Sequence, residues 1–141
     1  MTESEFRFKH SLLIHFYQLI ELRLRAICAR MSNENEKDWF SKYIELETDT
    51  FGVLIQNLQE IQRQRKNTVL TENDFDDLNS IRKTRNYWVH QCFNGTFEGV
   101  NPISFHNGAV NMPSHAQKLL DSLDVAIEWD EKLAEIVYSL S

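Results

Sequence analysis

Helix breakers are confined to one short stretch of this chain. It has four glycines and two prolines, and all of them except Gly52 lie between Gly95 and Pro113. In a helix interior, glycine costs about 1 kcal/mol and proline about 3 kcal/mol relative to alanine. Everything outside that stretch is therefore free to be helical. The stretch itself reads GTFEGVNPISFHNGAVNM, with turn signals at Asn101-Pro102 and Asn107-Gly108. Short apolar pieces flank Asn107-Gly108, a pattern compatible with a small hairpin. The expected fold is all-α: an antiparallel bundle of four to five helices with one irregular insertion at about 95–113.

Apolar periodicity places the helices. From about Glu5 to Met31, the residues Phe6, Leu13, Phe16, Ile20, Leu24, Ile27 and Met31 recur at helical spacing and form one stripe. Leu12, Leu19 and Leu22 widen it, so this helix packs on more than one side, in a thick bundle or at a subunit interface. The run SNENEK at Ser32–Lys37 is a polar break. A second helical stretch starts near Asp38 with Trp39, Phe40, Tyr43 and Ile44 as its apolar members, and Thr48–Thr50 interrupts it. Phe51, Leu54, Ile55, Leu58 and Ile61 continue a helical pattern toward Arg65. Gly52 within it implies close helix–helix approach or a kink.

After the Asn67–Leu70 connection, Thr71 is an N-cap candidate with Asp74 three residues on. Phe75, Leu78, Ile81, Tyr87 or Trp88, and Cys92 mark a third long helix ending near Asn94–Gly95. Ser114 can cap a last helix with Gln117 at the capping-box position. Leu120, Leu123, Ile127, Ala134 and Val137 line that helix.

A chain of 141 residues fits a single domain, 1–141, and can bury a real core. Its hydrophobic fraction of 42% and charged fraction of 26% argue against disorder. The net charge of −6 disfavours a protein that coats nucleic acid with its whole surface, but leaves room for a local basic site. Cys28 and Cys92 lie in apolar helical patterns without metal-ligand spacing and read as buried thiols. The polar N-terminus lacks a signal-peptide pattern and no apolar run approaches a membrane span, so a cytoplasmic protein with no membrane partner is expected.

Phosphate-binding glycine loops, zinc-protease and zinc-finger spacings and the nucleophile elbow are all missing from the sequence. No metal and no cofactor is expected. What remains is SIRKTRNYWVHQCF, from Ser80 to Phe93, which gathers Arg82, Lys83, Arg85, Asn86 and His90. Arg82, Asn86 and His90 step by four and share a helix face. Arg85 and His90 are five apart and diverge by roughly 140° on an ideal helix. A local distortion or a neighbouring chain can narrow that gap.

These residue types suit cleavage of an RNA phosphodiester. A histidine can take the 2′-hydroxyl proton or give one to the leaving 5′-oxygen. An arginine offers a permanently charged fork to the phosphate. Asn86 can orient the histidine or donate to a phosphate oxygen. Arg82 and Lys83 can contact phosphate. Each has a plainer reading as well. Arg85 can pair with an acidic residue such as Glu21, Asn86 can be a buried polar link, and His90 can be a packed histidine. Arg23, Arg25, Arg30, Arg63, Arg65 and Lys66 can extend a phosphate track or simply be solvated.

The string Arg85-Asn86-Tyr87-Trp88-Val89-His90 resembles the HEPN signature: an arginine, four to six residues, then a histidine, often with a polar residue after the arginine. The setting is similar too, with a long first helix, a glycine in FGVLIQNL, the motif on a later long helix and a closing helix. The resemblance implies a metal-independent endoribonuclease whose site is built from two copies of the motif across a homodimer interface. It implies a toxin or antiviral role, with RNA as substrate and an antitoxin such as a nucleotidyltransferase as partner. Arg85 and His90 would be catalytic and Asn86 would support them. Some members have a modifiable tyrosine two residues after the histidine. Here that position is Cys92, which puts control by that route in doubt. The alternatives are a non-catalytic HEPN-like dimer that binds RNA, a nucleotide or a protein, and a helical interaction protein with no nucleic-acid role.

Overall fold

In the computed structural model, which describes residues 1–32, 38–93, 102–111 and 113–140, the protein is a bundle of helices. The helices are α1 (Glu3–Ser32), α2 (Trp39–Glu45), α3 (Phe51–Arg65), α4 (Glu72–Asn86) and α5 (Pro113–Ser139). A 3-10 turn over Leu46–Thr48 follows α2, and a π-helical turn over Tyr87–Gln91 continues α4. Strands β1 (Phe105–His106) and β2 (Ala109–Val110) form a small antiparallel hairpin. Asn107 (φ 51°) and Gly108 (φ 75°) both take positive φ at its tip, the geometry of the primed turns that Asn-Gly favours.

Contacts between the elements fix the helix directions. Thr2 bridges Ala109 at the start of α1, and Arg23 reaches Asp130 well along it, so α1 and α5 run the same way side by side. Helix α4 runs against both. Its start meets the end of α5 through Asp74 and Lys132, and the π turn beyond its end meets the first halves of α1 and α5 through Trp88. The core between them holds Phe6, Leu13, Ile20 and Leu24 of α1, Leu54 and Leu58 of α3, Leu78 of α4, and Leu119 and Leu133 of α5.

Thr71 caps α4 as its sequence predicts. Its hydroxyl accepts from the Asp74 N–H at 3.2 Å, and the Asp74 carboxylate accepts from the Thr71 N–H at 2.9 Å. Thr50 caps α3 one way only, its hydroxyl accepting from the Val53 N–H at 3.4 Å. Cys28 and Cys92 are buried free thiols.

Several expectations need correction. In α1, Tyr17 rather than Phe16 occupies the core stripe, because the step from Leu13 to Ile20 runs through the residue four after Leu13. No residue of α2 is buried, and Phe40 and Ile44 are exposed. The apolar run of α2 is held at its rim instead, with the Arg30 guanidinium 4.2 Å from the Trp39 ring. In α5 the buried stripe is Leu119, Leu123, Ala126, Trp129 and Leu133, rotated from the expected one about their shared Leu123. Trp129 has the larger apolar surface and takes the inward face. Ser114 lies inside α5, Pro113 is its first residue, and the Gln117 amide donates to Asp121 instead of reaching back to a cap. The expected end of the third helix at Asn94–Gly95, most of the polar break and the insertion up to residue 101 lie outside the described residues.

Candidate active site

Helix α4 carries the motif because Phe75, Leu78 and Ile81 anchor one of its faces in the core. Its approach to α3 is close. A Cβ on Gly52 would stand 3.2 Å from Cδ of Arg82, so the glycine makes room for the arginine stem and not for a kink. Among the described residues the buried Arg82 Nε has no hydrogen-bond partner, while Lys83 is exposed. Arg85 is half-buried. One of its nitrogens lies 3.9 Å from a Glu21 carboxylate oxygen, and Cζ is 5.9 Å from the centre of the Phe51 ring. Asn86 is half-buried at the last position of α4.

The helix then widens into the π turn. The Cys92 N–H bonds the Tyr87 carbonyl at 2.9 Å, five residues back, where an α-helix would use Trp88 four back. Single π turns inside helices occur frequently at functional sites. In such a turn each residue advances by a smaller angle than on an α-helix. Residues five apart then approach the relation that residues four apart have on an α-helix. The spacing from Arg85 to His90 falls mostly within this turn. The turn swings His90 back toward the Arg85 side and reduces the divergence that the sequence alone implies.

What pins the turn is Trp88. Its ring is wholly buried, and its indole N–H donates to the Ser122 hydroxyl of α5 at 3.0 Å. The Trp88 carbonyl accepts from the His10 Nε2–H at 2.8 Å and from the Cys92 thiol at 3.3 Å. A carbonyl only accepts, so the proton of neutral His10 sits on Nε2. The His10 ring stacks on Phe6 and meets the edges of Trp88 and Phe93. Burial pushes the Cys92 thiol up to about 11, which keeps it a protonated donor.

At the surface the turn presents His90 between two exposed apolar side chains, Val89 (39% exposed) and Phe93 (43%). Arg7 of α1 lies beside them, with Cζ 5.9 Å from the Phe93 ring centre and 4.9 Å from that of Phe105. Tyr87 and Trp88 are core residues, as expected, and Lys118 Nζ sits 4.1 Å from the Tyr87 ring centre.

The more distant cations are mostly engaged in structure. Arg23 pairs with Asp130, and buried Arg25 donates to the carbonyls of Leu46 and Glu47. Arg63 pairs with Glu60, and Arg65 donates to the Ser32 carbonyl. The residues that sequence reasoning missed are His10 and Ser122. His10 had a signal: it stands four after Phe6 and three before Leu13, on the buried stripe of α1. Ser122 had none.

Among the described residues, no three or more His, Cys, Asp or Glu side chains are grouped to hold a metal ion, and no helix is long and apolar enough to cross a membrane. No family model matches the chain, and no curated protein and no solved structure is significantly similar to it.

Proposed function

We propose that this protein is a metal-independent endoribonuclease of the HEPN type that acts as a homodimer. The observation that carries the reading is the π turn over Tyr87–Gln91, which overlaps the Arg85–His90 motif. It narrows the angle between the two residues and leaves the histidine exposed within an apolar surface patch. Val89 and Phe93 offer the kind of apolar rim that a second copy can cover, bringing two motifs together about a two-fold axis.

In this reading His90 takes the proton from a ribose 2′-hydroxyl, whose oxygen attacks the adjacent phosphorus. The bond to the 5′-oxygen breaks, and a protonated histidine, its own or the partner copy's, supplies the proton to that leaving oxygen. The products end in a 2′,3′-cyclic phosphate and a 5′-hydroxyl. Arg85 stabilises the charge that builds on the phosphate oxygens, and Asn86 orients His90 or donates to the same oxygens. Arg82 and Lys83 lead toward the phosphate. A toxin role with an antitoxin partner belongs to the same proposal. Cys92 is buried against the Trp88 carbonyl, so modification at that position does not regulate it.

The 3.9 Å ion pair between Arg85 and Glu21 supports a second reading, in which the dimer binds RNA, a nucleotide or a protein without cleaving. One experiment separates them. Purified protein is incubated with RNA in EDTA, beside His90→Ala and Arg85→Ala. The nuclease reading expects cyclic-phosphate ends, a loss of roughly 10²–10⁴-fold for His90→Ala and a loss of roughly 10²–10³-fold for Arg85→Ala. Salt-dependent RNA binding with no cleavage supports the binding module. Cleavage unaffected by either substitution sinks the site.

A further inference from the structure

Helix α1 carries a second apolar stripe, apart from the one that enters the core. Phe8, Leu12, His15, Leu19, Leu22 and Ala26 recur at alternating steps of four and three. That is the 3.5-residue repeat of helices that pair with other helices. At 100° per residue these six centre roughly 150° from Phe6, Leu13, Ile20 and Leu24, on the opposite side of the helix. Ser4, Ser11 and Gln18 share their sector, and from Ser4 to Ala26 it holds no lysine, arginine, aspartate or glutamate. The bundle does not close over it. Helix α5 meets α1 at Arg23, α4 meets it at Glu21, and the 3-10 turn after α2 meets it at Arg25, all outside the sector. Phe8 is 68% exposed and Leu22 41%, His15 and the three neutral polar residues are exposed, and Leu12, Leu19 and Ala26 are half-buried.

The solvent face of a surface helix ordinarily carries charge. This one carries none, and its heptad step fits a second helix of the same pitch. Charge says which helix. About a two-fold axis a face meets its own copy, so every charge on it would confront its like. The chain has a net charge of −6, and the uncharged sector is a face on which two copies approach without that repulsion. Partner choice between unlike helices is set by charges flanking the seam. Here Ser4, Ser11 and Gln18 flank one side, and on the other Arg23 is already paired with Asp130 at 3.3 Å, which leaves Lys9. The seam from Phe8 to Ala26 is about 27 Å long. Between two copies it would bury on the order of 1,000 Å², near the least that a specific interface needs.

We propose that α1 pairs with α1 of a second copy of this chain along Phe8, Leu12, His15, Leu19, Leu22 and Ala26. The four large apolar side chains supply the burial, and His15 is the single polar member, of the kind that fixes register between paired helices. This contact is separate from the patch around Val89 and Phe93. Arg7 and His10, which face that patch and the π turn, lie outside the sector. The contact does not depend on the nuclease reading, and a chain that makes both contacts assembles beyond a dimer.

The test uses Gln18, which is exposed beside the middle of the seam. Gln18→Cys in the full chain is labelled with a nitroxide, Cys28 and Cys92 being buried, and distances between copies are measured by pulsed electron resonance at roughly 200 μM protein. Paired helices lie about 8–10 Å apart, so the two labels should fall within about 30 Å whichever way the helices run. Sedimentation equilibrium should give a Kd on the order of 10 μM for this contact. Phe8→Glu with Leu22→Glu, both at exposed positions, should weaken it at least roughly 100-fold and remove the short distance, with the circular dichroism spectrum unchanged. Val89→Glu with Phe93→Glu, which disrupts the motif patch, should leave the short distance in place, so failure of the nuclease dimer and failure of this contact are told apart. A short distance that survives Phe8→Glu with Leu22→Glu would overturn the proposal. So would labels that never come within about 30 Å, which would leave the face to a different partner.

Discussion

Replacing His10 by phenylalanine isolates one hydrogen bond and tests what holds the motif helix in its widened turn. The substitution keeps a flat ring among Phe6, Trp88 and Phe93, whose centroids lie 6.5, 6.1 and 5.4 Å from that of His10. Packing is therefore nearly conserved. What disappears is the Nε2–H donor to the Trp88 carbonyl at 2.8 Å. Leaving a buried acceptor without its partner costs about 1–3 kcal/mol. The Cys92 thiol still points at the same oxygen from 3.3 Å, but it is a weak donor. The expected loss is then about 1–2 kcal/mol, in the lower half of that range. For a chain of this length that corresponds to a Tm lowered by roughly 3–8 °C.

His10→Gln, whose amide can donate to the same carbonyl, should recover most of the loss. His10→Phe combined with Cys92→Ala should lose more than the sum of the two single changes, because both donors to one oxygen are then gone. Thermal unfolding followed by circular dichroism measures the native protein and the four variants. Hydrogen exchange at Cys92 and Phe93 reports whether the turn itself loosens. If His10→Phe melts with the native protein and exchange at those amides is unchanged, the imidazole does not hold the turn and the reasoning fails.

Three other outcomes follow from the same structure. Burial, aided by Asp49, pushes the Cys28 thiol up to about 12, and burial pushes Cys92 up to about 11. In the unfolded chain both thiols ionise near the ordinary value of about 8.5, so their contribution to stability is complete below that pH and is lost as pH rises to about 11–12. Burial raises Tyr17 in the same direction, so urea midpoints should fall steadily above about pH 9, and iodoacetamide at pH 8 should label neither cysteine until the chain is unfolded. Thr71→Ala removes the reciprocal cap of α4 and should cost about 1 kcal/mol in urea unfolding, while Thr71→Ser should be nearly neutral. Gly52→Leu should destabilise by about 1–3 kcal/mol because its side chain must displace the Arg82 stem. Gly52→Ala should be tolerated, because the helix propensity it gains, about 1 kcal/mol, offsets a contact with a flexible side chain.

Much of the fold was legible because its signals are local. The capping box at Thr71 and Asp74, the Asn107-Gly108 hairpin and the helical stripes need no knowledge of distant neighbours. The pairing of Arg85 with Glu21 was also foreseeable as the plain alternative to a catalytic arginine. Periodicity was weaker at choosing among adjacent apolar faces. The rotation of α5 toward Trp129 and the exchange of Phe16 for Tyr17 depend on which neighbour each helix meets. The π turn was less legible still. Nothing in Tyr87–Gln91 announces it, and its stabilising partners, His10 and Ser122, lie 78 and 34 residues from Trp88. A spacing of five between arginine and histidine is awkward on an α-helix, and that awkwardness was the one hint that the backbone departs from it.

The stitch between the chain's first residues and its hairpin bears on how the molecule folds. Thr2 bridges Ala109, the Glu3 N–H bonds the Gly108 carbonyl at 2.7 Å, and the Val110 N–H bonds the Met1 carbonyl at 3.3 Å. Closing so large a loop is entropically expensive, and contacts of long sequence separation slow folding. During synthesis the leading turn of α1 must wait until more than a hundred residues have emerged before it can dock. In refolding from urea, this corner should be among the last to gain protection and the first to lose it.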